Sequence, residues 1–474
     1  MIFNEGDFAE VDRLFDEYFS SGKAPGLIYG VTVGQKIVHS RALGVSFIGG
    51  NAPNSKTSFR VASLTKSFTG AAVLLLRDRG QISLETPIVD YLPELRDLQN
   101  QISDPQKITA RMLLSMSAGF PTDNEWADRL ESISEREFGE ILKDGIRFDS
   151  QPGTRYEYSN LGYALLARIV SRITRRRFFE FATEELLVPL KLNSSTFDYV
   201  LASDLAIGYV KREEWEAEIF TGPGAFSSIG GLITNLEDLA IWSGYLSEAF
   251  DSDSVDHGPL SKATRREMQE IQQVIPRIKE PNSELPYSGA NGYSSGLRVE
   301  EDYDFGKIVG HSGGYPGYGS HMRWHATSRI GVIALANGRY ASPVIACVPA
   351  LRYLLSKMKK QVVQPSKECL VLQIKVNSLI NNWDDQLAEE IFGFNMDLDH
   401  PRSYRQKVIA ESIEQIGGLR PITSNLEMKS KNASHLTWKL GGENGNLLVE
   451  IWLTPDLPAK LQVWKVLPVD LLNS

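Results

Sequence analysis

Residues 57–80 read TSFRVASLTKSFTGAAVLLLRDRG, and in them Phe68, Ala71, Ala72, Leu75 and Leu76 recur at helical spacing, with Val73 and Leu74 filling the gaps. A helix that is apolar nearly all round is a buried one. Ser63 and Lys66 nevertheless stand at its mouth, and burying a lysine ammonium is costly unless it is paired or neutralised. Either Lys66 lies at the wet end of a core helix, or its chemistry is used. The S-x-x-K spacing puts both side chains on one helix face, with Cβ atoms about 5–6 Å apart. If Ser63 begins the helix, its hydroxyl also lies at the positive end of the helix dipole. A serine hydroxyl is a poor nucleophile until a neighbour takes its proton. A lysine can take it only when neutral, which desolvation or a nearby cation brings about. The same spacing recurs at Ser20/Lys23 and Ser356/Lys359, where a turn and a basic linker give it no meaning.

Two later stretches lift Ser63 above those decoys. In PGTRYEYSNLGYALLARIV, Tyr158-Ser159-Asn160 precedes a helical pattern. A tyrosine hydroxyl near a cation can relay protons, and a carboxamide can donate to a substrate carbonyl, although Tyr158 taken singly reads as a packed aromatic. In GHSGGYPGYGS, His311 to Ser320 follow a strand-like segment. A glycine-rich strand edge lets a substrate backbone approach and leaves N–H groups free for an oxyanion.

Together, S-x-x-K, Y-x-N and H-[ST]-G in that order resemble the serine β-lactamase and penicillin-binding protein superfamily. The nearest branch is the class C-like one, with its D-aminopeptidases, alkaline D-peptidases and β-lactamase-like carboxylesterases. The resemblance covers roughly residues 8–355 and includes the blocks ITARMLLSMSAGFP and GAFSSIGGLITNLEDLAIW. It implies Ser63 as the acylated nucleophile, Lys66 with Tyr158 as the base system, and Asn160 as an orienting group for the substrate acyl chain. It implies an oxyanion hole from the N–H groups of Ser63 and Gly314, with His311, Ser312, Gly313 and Gly314 along the substrate-binding strand. His311 replaces the lysine of β-lactamases at the third motif. A histidine is largely neutral at pH 7, so esters, amides or short peptides are expected over donors that need a carboxylate recognised. A histidine that merely packs at the strand end would do none of this.

Two other readings compete. GHSGG also fits G-x-S-x-G, the nucleophile elbow of α/β-hydrolases, with Ser312 as nucleophile; that elbow needs a helix after it, and Tyr315-Pro316-Gly317-Tyr318-Gly319 cannot start one. A non-hydrolytic penicillin-binding or sensor protein of the same fold would keep Ser63 but fail to turn over.

Composition sets the limits. The chain has 474 residues, 42% hydrophobic and 23% charged, enough for a real core and more than one domain. A net charge of −9 gives no general affinity for nucleic acid or anionic membrane. Arg175-Arg176-Arg177 and Lys357 to Lys360 read as solvated faces. Cys347 and Cys369 make no disulfide framework and no C-x-x-C. The opening MIFNEGDFAEVDRLFDEYFSSGKAPG has acidic residues and no apolar h-region, so no signal peptide is expected, and no run of about 18 apolar residues suggests a membrane span. The expected location is cytoplasmic, with no cofactor and no metal. Of the seven histidines only His321 and His325 have helical ligand spacing, in a segment that reads as strand. Oligomeric state stays open.

Along the chain, the pattern predicts a helix at 7–21, a hairpin in GLIYGVTVGQKIVHSRALGV turning at Gly34-Gln35, and helices through the middle, including one after Thr234 or Asn235. Strands return in GLRVEED, FGKIVGHSGG and HMRWHATSRIGVIALANG. Strands at both ends with helices between predict an α+β fold: an antiparallel sheet closed by distant parts of the chain, with a helical subdomain beside it. Residues 1–360 form this catalytic domain. The segment 357–368 reads as a linker, and 370–474 as a small α+β domain: helix 377–393, a strand in FNMDLD, helix 403–416 and three or four strands. That order is similar to cone-shaped domains of the cystatin and nuclear-transport-factor (NTF2-like) type. Trp438, Trp452 and Trp464 read there as core and interface residues, not as a ligand cage.

Overall fold

The computed structural model describes residues 3–96, 107–124, 126–276, 289–358, 363–421 and 427–470. The chain divides into two compact units, Met1–Met358 and Lys359–Ser474.

The first unit is built on an eight-stranded antiparallel sheet. Its order is Lys36–Gly44, Gly26–Val33, Ile330–Ala336, Tyr318–His325, Gly306–Tyr315, Leu297–Asp302, Ala290–Ser294 and Gln273–Val274. The N-terminal hairpin lies beside the last strand, with Leu27 opposite Ala336 and Val33 opposite Ile330. Distant parts of the chain therefore close the sheet, as the two strand-rich ends predict.

Side chains alternate across a strand, and here the two faces have different partners. Leu27, Tyr29, Val31, Val332 and Ala334 pack on helices Glu5–Ser20 and Val344–Ser356 through Val11, Phe15, Cys347 and Leu351. Ile28, Val309, Met322, Trp324 and Ile333 turn the other way, into the large core around helices Thr65–Asp78 and Asn160–Thr174. Every residue from Thr65 to Leu76 is buried, which is the all-round burial the apolar pattern predicts. The Asn4 side chain and Asp7 form a capping box at the first helix, and Asn235, not Thr234, caps helix Leu236–Ser247.

The second unit has its own core, in which Leu372, Val376, Trp438, Val449, Ile451 and Trp464 are buried together. It carries helices Lys367–Asn381, Asp385–Ile391, Met396–Asp399 and Arg402–Gln415, then a four-stranded antiparallel sheet. Three local expectations change. The helix expected at 377–393 is two helices, because Asp384 caps a new one with its side chain on the N–H groups of Gln386 and Leu387. The helix of the expected linker begins at Lys367, capped by Ser366. FNMDLD is a helical turn, not a strand: Phe394 and Leu398 are exposed and Met396 alone is buried. The alternation in that segment marks no buried face.

Because the two cores share no residue, a chain truncated after Pro365 is expected to stay soluble and to keep the chemistry of the first unit. Thermal unfolding and covalent serine labelling check this. A folded but unlabelled product would mean that the second unit contributes to the site.

Among the described residues, no helix is long and apolar enough to cross a membrane, and no group of three or more His, Cys, Asp or Glu side chains could hold a metal ion.

Candidate active site

Ser63 sits in the 3-10 turn Ala62–Leu64, which leads into the α-helix starting at Thr65. The turn is entered with Ala62 at φ +51°, a conformation that non-glycine residues adopt only when their surroundings enforce it. Those surroundings are explicit. Val61 N–H donates to Leu232 O, the Ser320 hydroxyl donates to Val61 O (2.7 Å), and the Thr65 hydroxyl donates to Ala62 O (2.7 Å). One residue earlier, buried Arg60 is paired with buried Glu131 and donates to Thr221 O at 2.9 Å. The strand-like SFRVA thus anchors the serine.

Lys66 is fully buried, its Nζ 3.0 Å from Ser63 Oγ and donating to Ile229 O at 2.7 Å. Burial brings its pKa down to about 7, against the opposing pull of the Asp128 and Asp123 carboxylates. The Tyr158 hydroxyl donates to Ser63 Oγ at 2.9 Å. Burial pushes that phenol well above its usual range, so at neutral pH it is a proton donor. The two groups expected to share the base role therefore separate by environment: Lys66 can be neutral and accept a proton, and Tyr158 holds one to give.

His311 is buried beside them. Its Nδ1–H donates to Ser312 O (2.6 Å), which leaves Nε2 to accept from the Tyr293 hydroxyl at 3.0 Å. Burial first, then Lys66 and Arg298, lower its pKa to about 3, so the imidazole is neutral. Neutrality at this position does not leave the cleft without cations, however. Arg155, Arg298 and Arg323 line it, Arg155 beside Glu157 and Arg323 beside Glu300. These guanidinium groups bear on the expectation that a neutral third-motif residue disfavours carboxylate-bearing donors, with Arg155 and Arg323 each already facing a glutamate.

The cleft of about 870 Å³ is lined by Ser63, Tyr158, His311, Ser312 and Gly314. It follows an open strand edge. Leu297–Asp302 pairs with Gly306–Tyr315 only as far as Gly310, so, among the described residues, 311–315 have a strand partner on one side alone. Tyr315 and Tyr318 close a two-residue loop and form a hydrogen-bonded pair, which turns the Gly314 N–H to the unpaired edge. Gly313 presses against the serine turn: a Cβ there would fall 2.3 Å from Ser320 Oγ and 2.4 Å from Val61 O. Gly313→Ala is expected to cost about 1–3 kcal/mol of stability and, by displacing Ser63, to slow its acylation roughly 100-fold. A thermal melt and a labelling time course measure the two effects.

Two predicted residues stand differently. Asn160 is buried as the first residue of its helix, and its Nδ2 donates to Asp123 O (3.1 Å) and Asn124 O (2.9 Å). It shapes the loop whose Asn124 lines the cleft and does not line the cleft itself. Ser312 lies within a strand of an antiparallel pair, with no helix after it, so the nucleophile-elbow reading fails on geometry. Its Oγ pairs with His321 Nδ1 at 2.8 Å. His325 bonds elsewhere, to Ser328 and Phe305, so the histidine pair makes no ligand set. Arg298, Arg323 and Tyr340 line the cleft and belong to no motif in the sequence. Strand register brings the two arginines there.

A family model described as Beta-lactamase matches residues 11–352. Protein flp of Staphylococcus aureus strain MW2 is 25% identical over 340 residues, 69% of this chain and 62% of the staphylococcal one; the match thus spans less than two thirds of that relative. Beta-lactamase-like protein 4 of Dictyostelium discoideum is 28% identical over 255 residues, 49% of this chain and 44% of its own. The fold is shared with the octameric penicillin-binding protein homologue of Pyrococcus abyssi, at TM-score 0.64 and 19% identity over 97% of this chain and 99% of that one. It is shared too with a D-stereospecific amidohydrolase from Streptomyces sp. (TM-score 0.57, 20% identity, 72% and 98% covered). A class C beta-lactamase gives 0.60 at 17% identity, with 75% and 97% covered. With the sheet, the buried Ser63–Lys66 pair and a family match over most of its length, the chain belongs to the Beta-lactamase family.

Proposed function

We propose that the protein is a serine hydrolase that forms an acyl-enzyme on Ser63 and releases it to water. The observation that carries this reading is the placement of Ser63 Oγ between a buried lysine amine at 3.0 Å and a half-buried phenol at 2.9 Å. Neutral Lys66 takes the proton as Oγ attacks the acyl carbon. The N–H groups of Ser63 and Gly314 hold the oxyanion, and Tyr158 hands a proton to the departing group. Water then attacks the acyl-enzyme by the reverse order of proton transfers.

The acyl donor is a small ester, an amide or a short peptide. A cleft that follows an unpaired strand edge suits an extended backbone, and the likeness to a D-stereospecific amidohydrolase supports amides within that set. A panel of p-nitrophenyl esters, D- and L-amino-acid amides and nitrocefin tests the proposal. Steady turnover of any of them, with the acyl group on the 61–66 peptide in mass spectrometry, supports it. A burst without turnover would make the protein an acyl trap, and an adduct on 308–323 would move the nucleophile to Ser312.

A further inference from the structure

The strand edge that carries His311 toward Ser63 carries Ser312 to the opposite face of the sheet. On that face Ser312 stands opposite His321, and Gly310 stands opposite Arg323 on one side and Arg298 on the other. All five line the same cleft, because the edge beyond Gly310 is unpaired and the cleft wraps round it. His321 is 5% exposed, and among the described residues its side-chain partner is the Ser312 hydroxyl, 2.8 Å from Nδ1. Its Nε2 is sealed from water and has no hydrogen-bond partner among the described residues.

That sealed atom decides where the imidazole proton sits. The ring is neutral, since burial, Arg323, His311 and Arg298 all hold its pKa well below the usual histidine value. A neutral ring has one N–H and one lone pair. With the N–H on Nε2, a buried donor would go unpaired, which is rarer and more costly than an unpaired acceptor. Two of the groups that lower its pKa are the guanidinium ions of Arg323, itself paired with Glu300, and Arg298, and a guanidinium attracts a lone pair and repels an N–H. The proton therefore belongs on Nδ1, from which it is donated to Ser312 Oγ. Ser312 Oγ then accepts from behind, and its own hydrogen is left to point into the cleft.

We infer that His321 is a positioning residue, which through its Nδ1–H fixes Ser312 as a hydrogen-bond donor toward acyl donors whose leaving group bears an acceptor. The kinetic part of this inference rests on the serine-hydrolase reading; the tautomer rests on the geometry alone. Leaving groups with a carboxylate or carbonyl beside the scissile bond gain a donor from Ser312 in a wall that already holds Arg298 and Arg323. Ser312 in the other hydroxyl orientation would reward leaving groups that bring an N–H instead.

The test has two readouts on the full chain. Long-range ¹H–¹⁵N correlation of ¹⁵N-histidine-labelled protein reads the tautomer: a protonated Nδ1 and a bare Nε2 for His321, assigned by loss of the signal in His321→Leu, support the inference. A proton on Nε2 overturns it. The second readout is the ratio of kcat/KM for 3-acetoxybenzoate to that for phenyl acetate, two esters that differ only by the carboxylate on the leaving group. That ratio is expected to fall about tenfold in His321→Leu, the loss of one hydrogen bond to a charged acceptor. It should recover in His321→Asn, whose amide N–H stands near the place of Nδ1–H. Adding His321→Leu to Ser312→Ala should lower the ratio no further, as coupled residues require. An unmoved ratio in His321→Leu, an asparagine variant that behaves like leucine, or additive losses in the double variant would each overturn it. A thermal melt confirms that each variant is folded. Fluorophosphonate labelling of Ser63 separates the two levels: an unlabelled Ser63 in the unaltered chain overturns the hydrolase reading, while the tautomer still stands or falls on the spectrum.

Discussion

Replacing Ser63 with alanine is expected to abolish both ester hydrolysis and covalent labelling by a fluorophosphonate. Three serines can claim the nucleophile's role by sequence pattern, Ser63, Ser312 and Ser159, and the structure separates them by surroundings. Ser159 is the N-cap of its helix, with its hydroxyl accepting from Gly162 N–H and facing the Asp123 carboxylate. Ser312 faces a neutral histidine and lies on the far side of the sheet from Lys66. Only Ser63 has a buried amine and a phenol within hydrogen-bond reach. Loss of a catalytic nucleophile commonly costs several orders of magnitude in rate, and what binding and the oxyanion hole supply is what remains. Ser312→Ala should still be labelled at Ser63, with activity lowered but measurable. Labelling that survives Ser63→Ala would overturn the mechanism.

The second large effect belongs to Lys66, whose replacement should lower activity and raise stability. Activity should rise with pH through an apparent value near 7, where the buried amine loses its proton. That value belongs to the coupled Lys66–Tyr158–Ser63 cluster and not to one residue. Lys66→Arg keeps a cation that cannot become a base, and should lower kcat by about 10²–10⁴.

Stability should rise with pH as well, over a higher window. The amine titrates at about 7 in the fold against an ordinary 10.5, so the unfolded chain binds this proton more readily. Between those two values the unfolded state carries the proton and the folded state does not, so stability rises with pH across that window and is flat below it. The difference corresponds to about 5 kcal/mol at the acid end. Lys66→Met fills a similar volume without the charge. It is expected to be inactive and yet more stable than the unaltered chain by a few kcal/mol at pH 6, less the hydrogen bond lost at Ile229 O. The gap should close toward pH 10. Paired denaturation curves at pH 6, 8 and 10 measure this, and a variant that is less stable at pH 6 would show that Lys66 is held charged by its neighbours.

Much of the fold was legible because its signals are local. The all-round apolar helix after Ser63, the hairpin turning at Gly34-Gln35 and the cap at Asn235 each follow from a few adjacent residues. Where local signal misled, tertiary context had the stronger claim. FNMDLD alternates like a strand, but Phe394 and Leu398 stay exposed and the segment turns as a helix. Asn160 matched its motif, yet both of its donated bonds go to the neighbouring loop.

The sequence by itself determined the buried helix after Ser63 and the lysine one turn on from it, because a 3.6-residue period and a costly buried charge are read from neighbouring positions; the nucleophile's role proposed for Ser63 came from three motifs taken together. It also determined that the sheet is closed by its two ends, since strand patterns stand at both. Only the tertiary structure decided which protonation state each group holds. The pKa of Lys66 is lowered by burial in a core assembled from distant segments, and that of His311 by burial first, then by Lys66 and Arg298. It also decided that arginines line the cleft and that Ser312 has a histidine behind it. Those contacts are set by strand register, and register is a relation between segments that no single stretch of sequence contains.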